Sequence, residues 1–196
     1  MIVTGSNIYL RPVHEADLEQ IYTYDCDIEA RGLYFPIFID SLVSLKQEFE
    51  KHGFFEKDDG TLLICDVNDD KLLGVMYFFK ATPYFAGLEI GYRLYDRGND
   101  GRGIVTEALI LCSYLLFTWQ SIQRLELKIV LDNIASRRVA EKCGYQLEGV
   151  ARRCIFIRGK YQDMVIYSLV RDEAPKTLEE AHQRIHALKQ HVSSSK

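Results

Sequence analysis

No apolar run in the 196 residues reaches the roughly 18 needed to cross a bilayer, and Met1-Ile2-Val3-Thr4-Gly5 lacks the basic start and apolar stretch of a secretory signal. The expectation is a cytoplasmic protein without a membrane partner. Proline is sparse, at 4 residues, and glycine stands at 13, which excludes collagen-like and low-complexity chains. Positive charge is not in surplus either: 24 Lys and Arg face 28 Asp and Glu, for a net charge of -4. No nucleic-acid partner is expected, because neutralising a phosphate backbone takes clustered cations. Any polyanion held here is small.

Paired cysteines are also missing. Cys26, Cys65, Cys112, Cys143 and Cys154 are odd in number, widely spaced and without a C-x-x-C pair, so they read as reduced thiols rather than a disulfide frame or a zinc site. His14, His52, His182, His186 and His191 sit at no ligand spacing, so no metal is expected. What remains is 47% hydrophobic and 27% charged residues, enough for one domain with a real core.

The chain alternates strand and helix signals. Ile8 to Val13 reads as an edge or ending strand, because Pro12 removes a ladder donor. Leu18, Ile21 and Tyr22 fall at helical spacing, and a second helix lies between Asp40 or Ser41 as N-cap and Gly53 as stop. Thr61–Asp66 and Leu72–Phe79 predict an antiparallel hairpin around Asn68-Asp69-Asp70. Gly87–Leu94 predicts a strand, and the apolar run Ile104–Trp119 a helix. Arg124–Leu131 is a further strand and Ala135–Lys142 a helix stopped by Gly144. Tyr145–Arg153 and Tyr161–Val170 form a hairpin around Arg158-Gly159-Lys160. The domain is taken as 1–174. Residues 175–196 read as an appended helix whose Leu178, Ile185 and Val192 stripe suits a second subunit in a homodimer.

The stretch with most chemical content is Arg97-Gly98-Asn99-Asp100-Gly101-Arg102-Gly103-Ile104-Val105-Thr106-Glu107-Ala108. Glycines at a strand-to-helix turn leave backbone N–H groups bare at the positive end of a helix, which suits a pyrophosphate. The spacing fits neither the dinucleotide fingerprint nor the Walker pattern. Taken with Leu10-Arg11-Pro12, Glu89-Ile90-Gly91-Tyr92, Asn133-x-x-Ser136 with Gly144-Tyr145, and Gly159-Lys160-Tyr161-Gln162-Asp163, the chain resembles the GNAT-type N-acetyltransferases. Within them it is similar to the Rim-type branch of ribosomal-protein and polyamine acetyltransferases, from about Ile8 to Asp172.

The resemblance implies an α/β fold: a mixed, mostly antiparallel central sheet flanked by helices, with a V-shaped split between two parallel strands, here Glu89–Tyr95 and Arg124–Leu131. It implies acetyl-CoA as co-substrate. Tyr92, Arg93 and Leu94 meet the pantetheine arm, Gly101, Arg102, Gly103, Ile104 and Val105 give amides to the pyrophosphate, and Asn133 holds the cofactor beyond the second strand. The acceptor is a primary amine of a peptide N-terminus or small molecule. The alternative is a catalytically degenerate module that binds CoA without turnover.

For catalysis the resemblance points to Ser136 beside the sulfur, while the residue's place at a helix start is equally that of a cap. Glu89 matches a carboxylate that relatives use as a base through water, although strand alternation equally turns it to solvent or toward Arg93. Four departures accompany the match. Asp100 and Val105 replace a Gln or Arg and a small residue, Ala140 stands where many relatives carry Tyr, and Ile155 where Rim-type enzymes carry Glu. Asp100 repels a diphosphate unless it points away or pairs with Arg97 or Arg102. Tyr34, Phe35, Phe38, Tyr84 and Phe85 sit in loops where relatives build the acceptor pocket. Whether Asp25, Asp27, Glu29 and Asp40 converge there, as a polyamine would require, linear order does not show.

Overall fold

A computed structural model describes residues 3–29, 31–37, 40–84 and 86–193. Phe38 and Phe85 lie outside them, as do the side chains of His191 and Val192. The strands are β1 (Val3–Thr4), β2 (Ile8–Pro12), β3 (Asp59–Asp66), β4 (Leu72–Phe79), β5 (Gly87–Leu94), β6 (Arg124–Val130), β7 (Gln146–Ile157) and β8 (Lys160–Val170). They form one sheet in the order β1-β2-β3-β4-β5-β6-β8-β7. Every neighbouring pair is antiparallel except β5 and β6, so the class is α/β with a mixed sheet.

Local chemistry sets the boundaries. Pro12 ends β2, as a residue without an N–H should, although β1 covers the outer side of β2 and makes β1 the edge. The β3–β4 turn is held by Asp66 and Asp69, whose carboxylates accept the N–H groups of Asn68 and Lys71. At the β7–β8 tip, Arg158 and Gly159 have φ of 49° and 80°, the left-handed pair of a two-residue hairpin. β7 runs to Ile157, past the predicted end at Arg153. The reason is a bulge between Ala151 and Ile155, where Arg153 takes φ of 49° and donates its N–H to Asp163.

Helices α1 (Leu18–Cys26) and α2 (Leu42–His52) cover one face of the sheet, and α3 (Ile104–Trp119), α4 (Ile134–Lys142) and α5 (Leu178–Ser193) lie on the α3 side. Ser41 caps α2 by accepting the Ser44 N–H, and Gly53 ends it at φ of 63°. Strand alternation sorts the core. Leu88 and Ile90 of β5 pack under α3 with Leu109, Leu116 and Leu125, whereas Tyr95, just past β5, packs with Leu18, Ile21 and Val75 on the α1 side. Among the described residues no helix is long and apolar enough to cross a membrane.

The tail helix is not left bare. Ala181 and Ile185 of α5 are buried in the α3 core, with Leu178 and Leu188 packed against it, so Leu178 and Ile185 of the stripe expected to meet a second subunit pack on the chain's own α3, while the side chain of Val192 lies outside the described residues. Glu107, in the first turn of α3 and 2% exposed, joins three segments. One carboxylate oxygen accepts the N–H groups of Ser6 and Asn7, and the other lies 2.7 Å from Lys189 Nζ on α5.

Removing one partner of a buried, hydrogen-bonded ion pair leaves the others uncompensated, so Glu107→Ala is expected to cost about 3–5 kcal/mol, read as a lowered urea midpoint. Asn133, whose side-chain oxygen accepts the Ser136 N–H, is the N-cap of α4. Asn133→Ala should therefore cost about 1 kcal/mol in the same assay. Ser136→Ala should cost markedly less, since its hydroxyl caps nothing.

Candidate active site

The parallel pairing of β5 with β6 begins at Gly87↔Arg124 and stops at Glu89↔Glu126. Beyond it β5 continues to Leu94 and β6 to Val130, each hydrogen-bonded only on its outer side, to β4 and β8. The strands therefore splay. Their facing edges carry peptide groups that need partners from elsewhere, and an extended amide chain supplies such partners.

At the open end of the split the chain turns into α3. Asp96 accepts the Gly98 N–H and closes a single 3-10 turn over Arg97–Asn99. Gly101 and Gly103 then adopt φ of 74° and 79°, conformations costly to any other residue, and a Cβ at either would meet nothing within 4 Å. Gly103 is the N-cap of α3, and with no side chain of its own it leaves the N–H groups of the first turn uncapped. The helix end is thus an open cluster of donors carrying partial positive charge.

One cavity of about 830 Å³ joins the split to this helix end. Tyr92, Arg93 and Leu94 line it from β5, Gly101, Arg102, Gly103, Ile104 and Val105 from the turn, and Asn133 and Ser136 from α4. Glu89 is not in the lining. It points to the α1 side of β5 and lies 2.6 Å from Lys128 Nζ of β6, so neither solvent nor Arg93 takes it. Asp100 is exposed and makes no ion pair among the described residues; Arg102, its expected partner, donates to Asn99 at 2.8 Å. Ile155 and Ala140 are outside the lining, and Ala140 is fully buried. Tyr34 and Phe35 line the cavity, but Tyr84 stands 89% exposed away from it.

Three features go beyond the contacts expected from the sequence. The Tyr92 phenol reaches across the split to the Ser136 hydroxyl at 2.6 Å, so a tyrosine from β5 occupies the neighbourhood of Ser136 even though Ala140 replaces the helix tyrosine. Burial pushes the Tyr92 phenol well above the ordinary tyrosine range, which keeps it protonated at neutral pH. Asn99 is 5% exposed, lines the cavity and holds a side-chain N–H group without a partner. Arg138 and Lys142 of α4 and Lys189 of α5 add cations to the wall. The i, i+4 spacing of Arg138 and Lys142 was visible in the sequence, whereas the approach of α5 was not.

Comparison with known proteins agrees with this geometry. Residues 7–146 match the family described as acetyltransferase (GNAT) domain. The chain is 25% identical over 174 residues to the ribosomal-protein-serine acetyltransferase of Escherichia coli, spanning 87% of this chain and 97% of that protein. It is 20% identical over 165 residues to the spermidine N(1)-acetyltransferase of the same organism, covering 83% and 85%. Among solved structures, Mycobacterium smegmatis RimJ in complex with CoA-disulfide superimposes with a TM-score of 0.75 at 21% identity, covering 96% of this chain and 91% of that one. An unpaired strand edge beside an uncapped helix end is the shape of an acyl-CoA site, and with the match over 7–146 it places this chain in the GNAT family as an acyl-CoA-dependent N-acetyltransferase.

Proposed function

We propose that the protein transfers an acetyl group from acetyl-CoA to a primary amine, on a peptide N-terminus or a small molecule, by direct attack in a ternary complex. The observation that carries this is the junction of the unzipped β5–β6 edge with the bare first turn of α3, a shape that takes an amide chain on one side and a diphosphate on the other. The residues fit the group. Gly101 to Val105 offer amides, Asn99 an unpartnered N–H, and Arg102, Arg138 and Lys142 positive charge, while the chain as a whole is acidic.

When bound, acetyl-CoA supplies a thioester carbonyl open to attack and a thiolate as leaving group. The chain's own work is to position and to move protons. Tyr92 and Leu94 offer backbone groups to the pantetheine amides, and Asn133 holds the cofactor from the α4 side while fixing Ser136. The Ser136 hydroxyl, hydrogen-bonded to the buried Tyr92 phenol, gives a proton to the departing sulfur and regains one from the attacking nitrogen, which sheds it as the C–N bond forms and the C–S bond breaks. Glu89, outside the cavity lining and against Lys128, takes the ammonium proton through a chain of water, a service that matters more for a lysine-like amine of pKa about 10.4 than for an α-amine near 8. The free cysteines accord with a reducing, cytoplasmic setting.

Calorimetry is expected to show CoA and acetyl-CoA binding in the micromolar range; no binding at millimolar ligand overturns the reading. Binding with no CoA release over a broad amine panel reduces the protein to a CoA-binding module. Ser136→Ala should lower kcat about 10²-fold with little change in CoA affinity. Glu89→Gln should slow acetylation of an ε-amine about tenfold more than that of an α-amine, compared as kcat/KM at pH 7.

A further inference from the structure

The loop Arg31–Phe35 and Arg93 of β5 form a part of the cavity wall separate in sequence from the Gly101–Val105 turn. Arg93 is buried, its guanidinium stacked 5.0 Å from the Tyr95 ring and 5.8 Å from that of Phe35. One of its terminal nitrogens pairs with Asp25 of α1, while Nε is buried without a partner. Arg31 shares the same carboxylate: its guanidinium nitrogen lies 3.9 Å from Asp25 Oδ1, with further donations to the carbonyls of Asp25 and Pro36. A third guanidinium stands beside this loop. Arg97 comes so close to the loop that a Cβ on Gly32 would stand 3.2 Å from its Nη2, and Arg97 has no ion pair among the described residues.

Two guanidiniums therefore share one carboxylate, a third lies beside the same loop with no ion pair among the described residues, and the carboxylate is not in the cavity lining. None of the lining residues in this part of the wall is acidic, and the loop residues outside the description, Ala30, Phe38 and Ile39, carry no charge. Asp27 accepts the Glu29 N–H, and Asp27, Glu29 and Asp40 contribute nothing to the wall. A polyamine would bring more positive charge into a positive, partly desolvated site. Like charges there repel strongly, whereas an anion gains charge-assisted hydrogen bonds from planar, multi-donor guanidiniums.

We propose that the acceptor amine carries an anionic group, a carboxylate close to the reacting nitrogen, and that Arg93, Arg31 and Arg97 hold it. This rests on the acetyltransferase reading above. The test is CoA release by the full chain over a matched series: Ser-Asp, Ser-Gly and Ser-Lys peptides of equal length, free aspartate and glutamate, and spermidine. The acidic acceptors should exceed the neutral peptide at least tenfold in kcat/KM, and raising the salt should erode that advantage. Preference for free aspartate or glutamate over Ser-Asp would assign a metabolite, and the reverse order a protein N-terminus; either supports the proposal. Arg97→Gln, at an exposed position that does not threaten the core, should lower the acidic-to-neutral ratio several-fold, mainly through KM. Equal rates for Ser-Asp and Ser-Lys, or spermidine as the best acceptor, would overturn the proposal while leaving the acetyltransferase reading standing. CoA binding without release from any amine would overturn both.

Discussion

The constraint on which the molecule depends is the early end of the β5–β6 pairing. A parallel pair that stopped nowhere would satisfy its own peptide groups and leave no room for an extended ligand. Here three residue pairs hold the strands together at one end, and from Ile90 onward the two backbones part. The cost of the unpaired edges is local and is offset by the cores on either face: Leu88 and Ile90 under α3, Tyr95 under α1. Tyr92, on the splayed part of β5, reaches the Ser136 hydroxyl at the start of α4, which follows β6.

A phosphate cradle made of bare amides works only while the helix behind it stays put. α3 is braced by its burial, with Ala108, Leu109, Leu111 and Cys112 fully enclosed, and by Glu107 on its first turn. That carboxylate binds amides of the N-terminal segment and the ammonium of Lys189, so the two ends of the chain are fastened to the element that carries the cradle. Gly5 belongs to this arrangement: a Cβ there would lie 2.3 Å from Glu107 Oε1. A carboxylate in the first turn also favours the helix through its dipole, and with Lys189 against it the charge is balanced before any diphosphate arrives.

Much of this was legible in the sequence because it is written in local signals. Ile104–Trp119 and Gly87–Leu94 match their predicted limits, because a glycine-rich turn and a run of apolar residues fix them without tertiary help. The split and the cradle follow from ordered motifs between Glu89 and Gly144. What stayed hidden depends on contacts far apart in the chain. Ser136 at a helix start reads equally as a cap, and only the helix start at Ile134 gives that place to Asn133 instead, which frees the serine hydroxyl. The helix of residues 178–193 looked like an appendage because its apolar stripe names no partner; the partner is α3, about 70 residues earlier. Glu89 finds Lys128 across the strand junction, a pairing of register that side-chain periodicity does not specify.

Net charge was the least informative number about the site. A chain at -4 argues against polyanions in general, yet the cavity gathers Arg31, Arg93, Arg97, Arg102, Arg138, Lys142 and Lys189 against Asp100 and Glu107. The disparity is physical. Surface carboxylates more than about 10 Å away are screened by salt, whereas charges facing one concave, partly dry space act together. Arg102, Arg138 and Lys142 stand on the elements proposed to hold the diphosphate, whereas Arg31, Arg93 and Arg97 stand at or beside the Arg31–Phe35 loop. Of the guanidiniums beside that loop, Arg93 is buried with its Nε unpartnered. A buried donor left unpaired is costly, and on the proposed reading the acceptor's anionic group supplies its partner.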